Sequence, residues 1–146
     1  MSGAPQTADA ASAAAAVPQR ILVVDDTPLN VKMLADILTF KGYRTVETES
    51  AEEGLKVAEE QRPDLILMDF HLPGMDGIEA LAMLRANPAT ASIPVIAVTA
   101  SAMTEDRARI MKAGFEGLQT KPISVLEFIA AVETALARKR EGGSPA

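Results

Sequence analysis

The chain contains no cysteine and no tryptophan, one histidine (His71), one tyrosine and four phenylalanines in 146 residues. Without cysteine there is no disulfide, no thiolate zinc site and no thiol nucleophile. A lone histidine cannot build a histidine metal cage and argues against a Ser-His-Asp triad. Cations are also in short supply: 14 Lys and Arg stand against 20 Asp and Glu, a formal charge of −6. That balance argues against nucleic acid as a direct partner. No window approaches the run of about 18 apolar residues that a membrane-spanning helix requires, so no membrane partner is expected.

The two ends lack core-forming residues. Residues 1–19 (MSGAPQTADAASAAAAVPQ) are rich in Ala, Ser and Pro. A secretory signal would need a basic start and an unbroken apolar stretch, and Asp9 interrupts the alanines. A disordered tail is expected there, and a flexible tail over residues 139–146. The remainder, residues 20–138, has the length of one cytoplasmic domain with a core that needs no staples.

What the chain does have is a βα rhythm organised around PDLILMDFHLPGMDG, residues 63–77. Four apolar residues, Leu65 to Met68, run into Asp69 and a Pro73-Gly74 turn, the pattern of a strand buried on both faces. Arg20 to Val24 is a second such run, ending in Asp25-Asp26. Thr27 as N-cap and Pro28 at the first helical position start a helix with an inward stripe of Val31, Leu34, Ile37 and Leu38, closed by Lys41-Gly42. Tyr43 to Thr48 alternates polar and apolar like a half-exposed edge strand.

Ser50 with Glu53 and Asp76 with Glu79 read as capping boxes for the next two helices, which end before Pro63 and at Asn87-Pro88. The second of these carries Ile78, Leu81 and Leu84 inward. Pro94 to Val98 is a strand delivering Thr99, and a helix from about Met103 to Ala113 is capped by Gly114. A short strand from about Gly117 to Gln119 leads to Lys121-Pro122. A last helix, boxed by Ser124 and Glu127, carries Val125, Phe128, Ile129, Val132 and Leu136 inward, with Arg138-Lys139-Arg140 at its C-terminal end. Five strands alternating with five helices predict an α/β fold, a doubly wound three-layer sandwich on a five-stranded parallel sheet.

In a parallel sheet all carboxyl ends share one rim. Asp25-Asp26, Asp69, Thr99 and Lys121, each at a strand end, therefore converge although far apart in sequence. Taken singly, each is an ordinary turn or strand-end residue; four on one rim is a pattern. Clustered carboxylates repel unless a cation intervenes. An all-oxygen donor set favours a hard divalent ion such as Mg2+, which uses few carboxylates and keeps several waters. With a lysine and a hydroxyl alongside, the set suits a phosphoryl group, and a carboxylate can itself be the nucleophile. Asp69, on the most central strand, is the candidate.

VVDD, LILMDFHLPGMDG, VIAVTA and TKPIS, in this order and spacing, resemble the receiver domain of two-component response regulators, particularly single-domain receivers of the DivK and CheY kind. The resemblance covers residues 20–138 and implies a sheet order of 2-1-3-4-5. It implies that Asp69 is the phospho-acceptor, Asp26 a direct Mg2+ ligand, Asp25 its neighbour acting through water, and the backbone carbonyl of His71 a further metal contact. Thr99 matches the switch hydroxyl and Lys121 the lysine paired with the phosphoryl group. Ala100 leaves that group room, and Lys121-Pro122 is expected to be a cis peptide. The side chains of His71 and Ser101 fall where relatives tune acyl-phosphate lifetime.

One position departs: Leu118 stands where the family commonly has an aromatic that moves with the threonine. Phe115, in the preceding turn, is a weak substitute.

The implied partners are a sensor histidine kinase or histidine phosphotransferase, docking around Leu29 to Leu38, and a downstream protein target, with output by protein contact or onward phosphorelay. The protein is expected to be a regulatory protein rather than an enzyme, and a monomer, with dimerisation on phosphorylation left open. Three other readings stay in view. A haloacid-dehalogenase-like phosphatase would want DxD and a cap, where this chain has adjacent DD and no cap insertion. An FMN binder would not place Asp25-Asp26 against phosphate. A receiver-shaped docking module would not be switched by phosphorylation.

Overall fold

Three strands of this protein are apolar along their length because both of their faces are covered. The structure, a computed structural model, describes residues 18–100, 104–121 and 123–140. Residues 1–17 and 141–146 of the expected tails, Ser101, the helix start at Met103 and the expected cis peptide at Pro122 lie outside the described residues. Strands β1 (Arg20–Val24), β2 (Arg44–Thr48), β3 (Leu65–Asp69), β4 (Val95–Thr99) and β5 (Gly117–Thr120) alternate with helices α1 (Pro28–Phe40), α2 (Ala51–Gln61), α3 (Gly77–Ala86), α4 (Thr104–Ala113) and α5 (Val125–Arg140). Every strand pairing is parallel, and the order is β2-β1-β3-β4-β5, as expected.

Alternate residues of the central strands feed two cores. Leu22, Val24, Ile66, Met68, Val95 and Ala97 pack against α2, α3 and α4 through Ala51, Ala58, Ala80, Leu81, Leu84 and Ile110. Ile21, Val23, Leu65, Leu67 and Ile96 pack against α1 and α5 through Val31, Leu34, Leu38, Phe128, Val132 and Leu136. All five residues of β3 and of β4 are buried, whereas β2, at the edge, is half-exposed. The chain turns from β1 outward to β2, then crosses back to β3. The strand order therefore reverses between β1 and β3, where such folds open a crevice at the carboxyl rim.

Several local expectations are corrected. Val125 is exposed rather than inward, along with Leu126. The first turn of α5 stands at the rim, and the buried stripe begins at Phe128, where the helix comes down over the sheet. Ile37, Ile78 and Ile129 are only half-buried, at the margins of their stripes. Thr27 has the extended backbone of an N-cap, but its side chain makes no capping bond; its own N–H is taken by Asp25. Ser50 caps α2 by accepting from the Glu53 N–H (3.1 Å), yet the Glu53 carboxylate reaches back to the N–H of Glu49, one residue beyond the box. The Asp76–Glu79 box is complete.

The segment between Asp69 and α3 is held tightly. Gly74 sits in its turn at φ +85°, a conformation that favours glycine. The Gly77 N–H donates to the carbonyl of Phe70 at 3.1 Å. A Cβ on Gly77 would stand 2.7 Å from Cδ1 of Phe70 and 3.3 Å from its Cα. Gly77→Ala therefore overpacks the ring, and a loss of about 1–3 kcal/mol is expected, read as a lower urea midpoint at unchanged m. A midpoint equal to that of the parent would show that the ring moves aside freely.

Candidate functional site

Asp25 follows β1 directly. Its N–H donates to the carbonyl of Thr48 (3.1 Å), which extends the β1–β2 ladder by one step. Its Oδ1 accepts the Thr27 N–H at 2.8 Å, so the carboxylate also organises the start of α1. Asp69 is the last residue of β3, and its Oδ1 accepts the N–H of His71 at 3.0 Å. Because Val24 and Met68 are register partners on neighbouring strands, the acids that follow them are neighbours too. One carboxylate oxygen from each of Asp25, Asp26 and Asp69 lies within 4.8 Å of the others. Asp25 and Asp69 are buried and Asp26 is exposed, so the cluster opens to solvent on one side.

Lys121, one residue beyond β5, reaches into this group. Its Nζ stands 3.4 Å from Oδ2 of Asp69 and 3.7 Å from Oδ2 of Asp25. Its backbone N–H donates to the carbonyl of Thr99 at 2.8 Å. Thr99 ends β4 beside β3 and is fully buried, and Ala100 follows it, exposed on the rim. His71 is exposed, with its ring edge-on to Phe70. Leu118 is half-buried in β5, opposite Ala97, against the core shared by α2, α3 and α4.

Three carboxylates and one ammonium leave the cluster a formal charge of −2. Burial is the main reason that the Asp25 carboxyl is held above its ordinary range; the negative charges of Asp69 and Asp26 push the same way. The Thr27 N–H and the Lys121 ammonium pull it down. Oδ2 of Asp25 is buried with no hydrogen-bond partner, an arrangement that costs free energy unless something else satisfies the oxygen. A cation would do so. The donor set is all oxygen, which fits a hard divalent ion rather than zinc.

The response regulator receiver domain model matches residues 21–133. The chain belongs to the response regulator receiver family. A receiver of similar sequence is the polar-differentiation response regulator DivK of Brucella anthropi, 42% identical over 120 residues that cover 82% of this chain and 98% of that one. Among solved structures, the receiver domain of a Pseudomonas aeruginosa sensor histidine kinase aligns at a TM-score of 0.76 with 33% identity, covering 83% of this chain and 99% of that one. That structure has a magnesium ion coordinated in its active-site cleft. A response regulator from Desulfuromonas acetoxidans aligns at 0.76 with 28% identity, over 82% and 97% of the two chains. The protein is thus a regulatory receiver similar to DivK, and its acidic cluster lies where the reversed strand order opens the crevice.

Two features of the site were not visible in the sequence. One is the turn in which Asp25 accepts the N–H of Thr27, the residue that precedes α1, which no box pattern announces. The other is the surroundings of Phe70, where Phe115 lies edge-on (ring centroids 6.3 Å apart) and the Arg109 guanidinium carbon is 5.7 Å from the ring centroid.

Because the folded-state pKa of Asp25 is raised, its favourable contribution is full below the unfolded pKa and is lost as pH rises through the folded one. At neutral pH the ionised carboxylate weighs against the metal-free fold. Asp25→Asn keeps an oxygen for the Thr27 N–H and removes the charge. It is expected to stabilise the metal-free receiver at pH 7 by about 1–2 kcal/mol, a Tm rise of roughly 3–8 °C, and to shrink the further rise given by millimolar Mg2+. Thermal unfolding with EDTA and with Mg2+ measures both effects.

Proposed function

We propose that Asp69 accepts a phosphoryl group from a phosphohistidine of a sensor histidine kinase or histidine phosphotransferase. A carboxylate oxygen of Asp69 attacks phosphorus, the phosphorus–nitrogen bond breaks, and the electron pair leaves with the imidazole nitrogen. Asp26, Asp69, the His71 carbonyl and, through water, Asp25 would hold Mg2+. Bound there, Mg2+ would neutralise phosphoryl oxygens. Lys121, already 3.4 Å from Asp69, pairs with the product, and Thr99 donates its hydroxyl to it. Ala100 leaves the space open.

The observation that carries this reading is the pairing of a nucleophile with a pocket short of positive charge. Lys121 is shared between Asp69 and an Asp25 oxygen that lacks a hydrogen bond. A module that only docked partners would have no use for such a cluster, and that reading is not favoured.

The donor's docking face lies beside the pocket. Leu29 and Met33 of α1 are exposed at 77% and 39%, and a cavity of about 180 Å³ lies between Asn30, Met33, Val98, Lys121 and Ile123. Exposed Val125 and Leu126 extend the apolar surface on the first turn of α5. Output then passes to a downstream protein through surface contacts.

Intact mass after incubation with acetyl phosphate and Mg2+, acid-quenched, tests the proposal. Gain of one phosphoryl group is expected, lost with EDTA and lost in Asp69→Ala. No gain from acetyl phosphate or from a phosphorylated kinase, or a gain that survives Asp69→Ala, would overturn it.

A further inference from the structure

We propose that the stack of Arg109 on Phe70 carries the state of Asp69 to helix α4, making Phe70 and Arg109 positioning residues of the switch. The proposal rests on the reading of Asp69 as phospho-acceptor.

Phe70 is the residue after Asp69, with no linker between them. It is clamped on the strand side: its N–H donates to the carbonyl of Val98 at 2.8 Å and its carbonyl accepts from Gly77 at 3.1 Å. Its ring is 3% exposed, and the contact with Gly77 leaves less room than a methyl group needs. The other contacts of the ring run to α4, to the turn after it and to the residue that follows in the chain. The Arg109 guanidinium of α4 lies over it at 5.7 Å, Phe115 of the turn after α4 is edge-on at 6.3 Å, and His71 is edge-on at 5.1 Å.

A phosphoryl group on Asp69 acts on this arrangement in two ways. It takes over the ammonium of Lys121 and crowds the Asp69–His71 hydrogen bond, so the backbone from 69 to 71 re-seats. The ring cannot shift toward Gly77, so displacement passes toward Arg109 and Phe115. The new negative charge also draws the guanidinium, which weakens its hold on the ring face. Among the described side chains of helix α4, most face solvent. From residue 107 to 113 only Ile110 is fully buried, while Arg107, Arg109, Met111 and Lys112 are exposed. Segments with few buried contacts open at low cost.

Amide hydrogen exchange across residues 104–113, with and without phosphorylation, tests the link in the full chain. Phosphorylation is expected to change exchange in α4 several-fold. In Arg109→Gln and in Phe70→Leu, each checked for a cooperative unfolding transition, the change should fall by at least about threefold at equal phosphoryl gain by intact mass. Arg109→Lys, which keeps the cation, should restore most of it. A purely structural role would lower protection in both states equally and would not be rescued by lysine. Phosphorylated variants that respond like the parent chain, or a phosphorylated parent whose α4 does not respond, would overturn the inference. Absence of any phosphoryl gain would overturn the reading of Asp69, and this inference with it.

Discussion

The structure is built around the cost of holding three carboxylates together against one ammonium. Asp25, Asp26 and Asp69 converge because two apolar strands, β1 and β3, lie side by side and end together. The hydrophobic burial of the sheet forces that meeting, at a stabilisation of roughly 25 cal/mol per Å² of apolar area removed from water. Burial of Asp25 and its like-charged neighbours oppose it. Two local arrangements make the crowding tolerable: Asp25 and Asp69 each accept a backbone N–H two residues onward, from Thr27 and His71, and Lys121 sits between them. Neither satisfies Oδ2 of Asp25. The fold thus stores an unmet electrostatic need at the place where a cation and a phosphoryl group would be handled.

What was legible in the sequence follows from the same physics. Buried strands announce themselves as unbroken apolar runs, so Val24, Met68 and Val98, and the polar residues just past them, could be placed on one rim without coordinates. Parallel pairing then fixed which acids meet. Lys121 was legible for the same reason, since β5 ends just before it.

Features that depend on where a helix begins relative to the rim were less legible. Val125 has the spacing of a core residue three before Phe128, yet it is exposed together with Leu126 beside it. Thr27 has the chemistry of a cap, but Asp25 two residues earlier takes the N–H of Thr27 instead. The contact of Arg109 with Phe70 joins residues 39 apart in sequence, and no local pattern encodes it. Aromatic residues make up only 3% of the chain, so periodicity alone could not show that two of its four phenylalanines, Phe70 and Phe115, touch beside the pocket.

The two faces of the sheet are packed by different sets of side chains. On one face, α1 and α5 interlock through Leu34, Leu38, Phe128, Val132 and Leu136, all nearly or fully buried. Large apolar side chains in close packing resist displacement. On the other, α3 packs through Ala80, Leu81 and Leu84, and among its described side chains α4 packs through Ile110 and Ala113, with Phe115 in the turn that follows. Leu118, half-buried beside them in β5, fills its place without a ring that could swing. On the proposed route, a displacement that starts at Phe70 would run toward Arg109 and Phe115. The two cores lie on opposite faces of a single sheet, and the acidic cluster stands at the strand ends between them.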